Sequence, residues 1–286
     1  MSFSENYYPS PDGLNLYYRE YGSDEGACPL LCLSGLTRSS LDFHEFAERY
    51  ATSRKVYTLD YRGRGKSDYD TDYKNYNPQI YIGDIFAFLT TKGIGKALFV
   101  GTSLGGLLTI AMAGLAKNYI AGAILNDVGP EVDKSGSSRI LDYVGKDVRF
   151  KTREEAAAQQ KKIYGGAYPD LPEEDWLGQA ETTFVYDETA KNYRLNYDLS
   201  LGRALVDQLN AKEQVDLWPF FRELGDLPVL AIRGALSDVL SKEVFERMKE
   251  EDPDMEALVL ENRGHVPLLN EPEALKKMDD FIARIR

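Results

Sequence analysis

The feature that most constrains this chain is a regular alternation of short strand-like runs with segments of helical apolar spacing. Residues 14–21 alternate with period two and read as a strand. Residues 30–33, Leu30-Leu31-Cys32-Leu33, are wholly apolar, as expected of a strand covered on both faces. Further strands are expected at 55–59, 97–100 and 120–125, with helices at 39–50, 78–90 and 104–116. After an interruption the alternation resumes: strand 227–232, helix 241–249, strand 257–260 and helix 273–285. Strands that alternate with helices imply an α/β architecture, a mainly parallel sheet with helices on both faces. Ligands on such sheets bind at the carboxyl ends of the strands.

The interruption spans 131–225. It is rich in charge and aromatics (Tyr143, Tyr164, Tyr168, Trp176, Tyr186, Tyr193, Tyr197, Trp218) and shows no convincing buried strand. The expected organisation is therefore a core of residues 1–130 and 226–286 carrying a mostly helical cap or lid at 131–225. The simplest role for the aromatics is the cap's own core, with one or two left to line a cleft where cap meets sheet.

Three segments at expected strand ends carry chemistry. Gly101-Thr102-Ser103-Leu104-Gly105 fits G-x-S-x-G between a strand and a helix, the context of a nucleophile elbow. Glycines two residues either side of Ser103 remove side chains where strand and helix cross closely. The turn also places the Leu104 N–H at a helix N-terminus, which favours an anion. The alternative for the pentapeptide alone is a small-residue turn without chemistry. His265, in Arg263-Gly264-His265-Val266-Pro267, follows the last expected strand. The chain holds only two histidines, His44 and His265, so imidazole chemistry has few sources. A serine hydroxyl needs such a base to become a nucleophile. Asp238 lies on the loop after strand 227–232 and is the preferred acceptor for the second imidazole N–H. Asp127, ending strand 120–125, is the alternative; its other role would be to bond the turn where the insertion leaves the sheet.

The order Ser103, Asp238, His265 resembles the α/β-hydrolase superfamily over nearly the whole chain, as a capped, esterase-like serine hydrolase. Asp60-Tyr61-Arg62-Gly63-Arg64-Gly65-Lys66-Ser67 is similar to the D-x-R-G-x-G-x-S loop of capped members, and is read as structural. Leu33-Ser34-Gly35-Leu36 stands where the family usually has His-Gly; Ser34 replaces the histidine, to steady the loop differently or to bind substrate. The resemblance implies that the N–H groups of Leu36 and Leu104 form an oxyanion hole. It further implies cleavage of a small-molecule carboxylic ester through an acyl-enzyme, without cofactor or metal. A lactonase, a C–C bond hydrolase or a non-catalytic binding module are the alternatives. Dehalogenase and epoxide hydrolase chemistry is disfavoured, since that resemblance expects aspartate where Ser103 stands. His44 and Arg38 are each read as packing or anchoring residues first, and as rim or substrate contacts second.

Charge and composition narrow the rest. The balance of 34 basic against 46 acidic residues gives a net charge of −12, which repels phosphate backbones and anionic lipid. No nucleic-acid or membrane partner is expected, and oligomeric state is open. A P-loop and a dinucleotide fingerprint are both missing from the sequence. Cys28 and Cys32 lie too far apart along one strand to bridge and read as core thiols. Residues 1–12 show no secretory pattern, and a cytoplasmic protein is the default expectation.

Overall fold

The computed structural model describes residues 3–23, 26–212 and 214–286; Met1 and Ser2, the start of the segment read as lacking a leader, lie outside them. The chain opens with strands β1 (Phe3–Pro9), β2 (Asn15–Tyr21) and β3 (Leu30–Leu33). A 3₁₀ turn, Ser40–Phe43, leads into helix α1 (His44–Tyr50), then β4 (Val56–Leu59), α2 (Pro78–Lys92), β5 (Ala97–Thr102), α3 (Leu104–Ala116) and β6 (Ile120–Asn126). The expected insertion holds α4 (Lys134–Leu141), β7 (Arg149–Phe150), α5 (Arg153–Tyr164), α6 (Asp175–Thr183), β8 (Phe184–Asp187), β9 (Asn192–Leu195), α7 (Ser200–Leu209) and α8 (Trp218–Arg222). The chain closes with β10 (Val229–Gly234), α9 (Lys242–Glu251), β11 (Glu256–Leu260) and α10 (Pro272–Ile282).

Eight strands form one sheet in the order β1-β2-β4-β3-β5-β6-β10-β11. From β4 to β11 every neighbouring pair is parallel, and β1 and β2 are added antiparallel at one edge. The period-two geometry of a strand sends alternate side chains to opposite faces. Leu31 and Leu33 of β3 accordingly join Ile85, Phe88, Leu108 and Met112 of α2 and α3 on one face. Leu30 and Cys32 join Phe46, Tyr50, Met278 and Phe281 of α1 and α10 on the other. The wholly apolar sequence of β3 thus reflects burial from both sides. Helix α2 has definite ends: Asn77 caps it by accepting the Ile80 N–H, Pro78 occupies its first turn, and Gly93 closes it at φ 64°.

Two features differ from the sequence reading. Strand β1 is not among the expected elements, because Ser4, Glu5 and Asn6 break its apolar alternation; as the edge strand it leaves Ser4 and Glu5 exposed and Asn6 partly exposed. Among its described residues the inserted region holds five helices, which cover somewhat under half of its length, and also carries a three-stranded antiparallel sheet, β7-β9-β8. These strands have two to four residues and mostly half-buried side chains, so they give little apolar signal. Helix α8, near the end of that region, rests on the core: the Phe220 ring fills the space beside Gly114 of α3. Cys28 and Cys32 are both free, and full burial raises the Cys32 thiol well above its ordinary value.

Candidate active site

Ser103 stands between β5 and α3 with φ 52° and ψ −116°, a conformation rare outside glycine. The turn is tight because strand and helix nearly touch. A side-chain carbon on Gly101 would fall 2.5 Å from the Gly106 nitrogen, and one on Gly105 would overlap the Leu33 carbonyl oxygen. The sequence therefore needs glycine on either side of Ser103, and the fold stores backbone strain at the hydroxyl.

His265 follows β11 and is buried. Its Nε2 lies 2.9 Å from Ser103 Oγ, and its Nδ1 lies 2.8 Å from Asp127 Oδ2. The serine and imidazole expected from the sequence are thus brought together. The carboxylate is a correction: Asp127, not Asp238, meets His265. Asp127 is fully buried at φ 53°, just past β6, and its N–H donates to the Ile232 carbonyl at 2.7 Å. That turn aims the side chain across the end of β10. There Oδ1 accepts the Gly234 N–H at 2.9 Å and Oδ2 accepts the Ser237 hydroxyl at 2.6 Å.

Asp238 is engaged elsewhere. Its carboxylate forms a two-pronged ion pair with Arg139 of α4, Nη2 to Oδ1 at 2.9 Å and Nε to Oδ2 at 2.5 Å. Burial opposes its ionisation, but the guanidinium outweighs this and holds the carboxyl below the usual range. The loop after β10 therefore ties the inserted region to the sheet through Asp238. It reaches the imidazole side only through Gly234 and Ser237, which support Asp127.

The loop after β3 faces the same turn. The Ser34 carbonyl accepts the Gly105 N–H at 3.1 Å and the Tyr61 hydroxyl at 3.3 Å. The Ser34 Oγ is buried without a hydrogen-bond partner, so its backbone, not its hydroxyl, steadies the loop. The Leu36 carbonyl accepts Arg64 Nε at 2.8 Å. Arg64 in turn donates to the Arg62 carbonyl and the Tyr81 hydroxyl. The D-x-R-G-x-G-x-S loop is structural, as read. Asp60 accepts the Ser40 and Lys66 N–H groups, and Ser67 Oγ donates to the Asp60 carbonyl. Arg62, nearly inaccessible, pairs with Asp12, Asp70 and Asp84.

A cavity of about 250 Å³ is lined mostly by the inserted region, with Tyr143, Tyr164, Phe184, Leu195 and Tyr197 as walls, Arg139, Lys146 and Asp142 among its polar residues, and Thr37 and Arg38 from the loop after β3; Ser103 and His265 do not line it. Gly35 lies between Arg38, on the cavity wall, and Ser103: a carbon in place of its hydrogen would touch Arg38 Cγ at 3.4 Å and Ser103 Cβ at 3.8 Å. Arg38 pairs with Asp42 through Nε and Nη2, both at 2.7 Å, and donates to Thr182 and Thr183. It anchors the loop to α6 while forming part of the cavity wall. The imidazole loop is likewise tied to the inserted region. Tyr168 donates to the Val266 carbonyl at 2.7 Å, and the Gly264 N–H donates to Ala167 at 2.7 Å. Of the expected aromatics, Tyr143, Tyr164 and Tyr197 line the cavity, whereas Trp176 and Trp218 are buried in packing. His44 bonds Tyr21 and packs against Phe3 at the far edge of the sheet, a structural role. Among the described residues no cluster of metal-ligating side chains occurs, and no helix is long and apolar enough to cross a membrane.

A mainly parallel eight-stranded sheet with a strained serine at the β5–α3 turn, facing an imidazole after the last strand, defines an α/β-hydrolase type of protein. Residues 30–277 match the model of the alpha/beta hydrolase family, and the chain belongs to it. It is 32% identical over 278 residues to a 3-hydroxybutyrate-oligomer hydrolase of Cupriavidus necator, covering 95% of this chain and 94% of that one. It is 25% identical over 263 residues to a 2-(acetamidomethylene)succinate hydrolase of Mesorhizobium japonicum, covering 91% and 90%. Among solved structures, an alpha/beta hydrolase from Novosphingobium aromaticivorans superposes with a TM-score of 0.94 at 38% identity, covering 99% of both chains.

Proposed function

We propose that this chain is a serine hydrolase that cleaves carboxylic esters of small or medium-sized molecules through an acyl-enzyme. The observation that carries the reading is the continuous relay from Ser103 Oγ to His265 Nε2 at 2.9 Å and from His265 Nδ1 to Asp127 Oδ2 at 2.8 Å. In this reading Ser103 Oγ attacks the ester carbonyl carbon as its proton passes to His265. Asp127 accepts the Nδ1–H, fixes the tautomer and stabilises the imidazolium. The N–H groups of Leu36 and Leu104 hold the oxyanion; Leu104 opens α3, where the helix N-terminus adds positive potential. The intermediate expels the alcohol, which takes its proton from His265. Water, deprotonated by the same imidazole, then attacks the acyl carbon, and the acid leaves as Ser103 is restored.

Residues 131–225 serve as the cap over this site, and the cavity that they line with Thr37 and Arg38 takes part of the substrate. Its aromatic walls suit a short acyl chain, and Lys146 suits a free carboxylate at one end, since Arg38 and Arg139 are already paired with Asp42 and Asp238. Oligoesters of a 3-hydroxy acid, named for the Cupriavidus relative, combine both properties and are the first substrates to assay.

The test is turnover of a p-nitrophenyl ester, a 3-hydroxybutyrate dimer, a lactone and a dienoate by wild type and Ser103→Ala. Ester turnover that vanishes in the variant, with fluorophosphonate labelling of Ser103 in wild type, supports the reading. Wild-type ester turnover by Ser103→Ala would overturn it, and a lactone or dienoate as the only substrate would replace the reaction.

A further inference from the structure

We propose that Ser237 is a positioning residue that fixes the direction of the Asp127 carboxylate; the inference rests on the relay reading above. Asp127 Oδ2 has two donors, His265 Nδ1 at 2.8 Å and Ser237 Oγ at 2.6 Å. A serine hydroxyl carries one hydrogen and two acceptor sites. Both acceptor sites are taken: the Val239 N–H lies 3.2 Å and the Leu240 N–H 3.1 Å from Ser237 Oγ. The hydrogen is left for Asp127, so the backbone of the 234–240 turn sets which way the hydroxyl points. The turn is itself anchored, with the Ser237 N–H on the Gly234 carbonyl at 3.0 Å and the Gly234 N–H on Asp127 Oδ1 at 2.9 Å.

This arrangement does two things for the relay. It leaves one lone pair of Oδ2 directed at the imidazole, since the Ser237 hydroxyl occupies the other and Gly234 holds Oδ1. It also draws charge from the oxygen that accepts the imidazole N–H. A carboxylate with a further hydrogen-bond donor is less basic, and it retains the imidazolium proton less tightly. Position 238, one residue on, is turned to a different task by Arg139. The β10 turn thus supports the acid instead of supplying it.

The experiment compares wild type, Ser237→Ala, Ser237→Thr and Ser103→Ala on p-nitrophenyl acetate. It records kcat, KM, the pH profile of kcat/KM and the low-field proton resonance of the imidazole Nδ1–H. Ser237→Ala is expected to lower kcat about tenfold with KM changed by less than about twofold, the pattern of an interaction that matters in the transition state. The acidic limb of its profile should move to higher pH, because the carboxylate freed of its donor holds the imidazolium more strongly, and the Nδ1–H resonance should move with it. Ser237→Thr, which keeps the hydroxyl, should restore both. A merely structural serine would lower the melting temperature and leave the limb and the resonance in place; that result overturns the proposal. If Ser237→Ala fails to fold, Ser237→Cys, a weaker donor of similar shape, must shift the same two readouts, and an unshifted profile again overturns it. Wild-type turnover by Ser103→Ala would bring down the relay reading and this inference together. An inactive Ser103→Ala beside an unaltered Ser237→Ala brings down this inference alone.

Discussion

His265 Nδ1 lies 2.8 Å from Asp127 Oδ2, a contact between residues 138 positions apart that joins the end of β6 to the loop after β11. The strand between them in the sheet is β10, and its own loop carboxylate, Asp238, is held by Arg139. Exchanging the two acids one at a time separates their roles. Asp127→Asn should lower kcat/KM about 1,000-fold or more, because the amide cannot stabilise the imidazolium and permits the wrong tautomer. Asp238→Asn should leave kcat/KM within about threefold, since a half-exposed pair away from the relay contributes little to the transition state. Equal losses in the two variants, measured with one p-nitrophenyl ester, would contradict this assignment.

Among the described residues, Arg62 is the cation paired with the three carboxylates Asp12, Asp70 and Asp84, and it is almost fully buried. Arg62→Met should lower stability by about 3 kcal/mol or more in urea titration at pH 7, because Asp84 stays buried without its counter-charge. The loss should shrink in acid. The bond to Arg62 is the main cause that lowers Asp12 to about 2, below its usual value near 4. A depressed carboxyl stabilises the fold above its unfolded value and loses that contribution as pH falls towards 2. Wild type should therefore lose stability between about pH 4 and pH 2 through Asp12, and Arg62→Met should lack that component.

Gly105→Ala should be far more damaging than a methyl group usually is. The added carbon would overlap the Leu33 carbonyl oxygen, which is backbone of a central strand and has no room to retreat. A loss of about 3 kcal/mol in thermal or urea unfolding is expected, near the top of the range for overpacking. A control, Gly83→Ala on α2, meets nothing within 4 Å and should be neutral or stabilising.

The cations of the cavity give a test of substrate class. Lys146→Ala should raise KM about fivefold for esters that carry a free carboxylate and leave KM for neutral esters unchanged, as loss of one partly solvated charge contact implies. Raising ionic strength should narrow the difference in wild type. Equal KM changes for both classes of ester would show that the substrate's charge is not read here.

Most of the sheet was legible because its strands announce themselves locally. The run at 30–33 matches β3 residue for residue, and the helix expected at 104–116 matches α3. Ser103 was equally legible, since a strand, two flanking glycines and a helix leave one place for a strained turn. Edge strand β1 and the small β7-β9-β8 sheet were not, because half-solvated strands have no need of apolar alternation.

The carboxylate shows where sequence reading stops. Asp127 and Asp238 both follow strands, on β6 and β10, which are neighbours in the sheet. Local pattern cannot rank two acids so placed. The choice is made by long-range contacts: the Asp127 turn with the Ile232 carbonyl behind it, the Gly234 and Ser237 donors before it, and Arg139 from α4 drawing Asp238 aside. The sequence by itself determined the buried parallel strands, the serine turn and the imidazole, because each follows from periodicity, glycine geometry or scarcity. Only the tertiary structure decided which acid stands behind the imidazole, because that depends on which cations and donors arrive from elements distant in the chain.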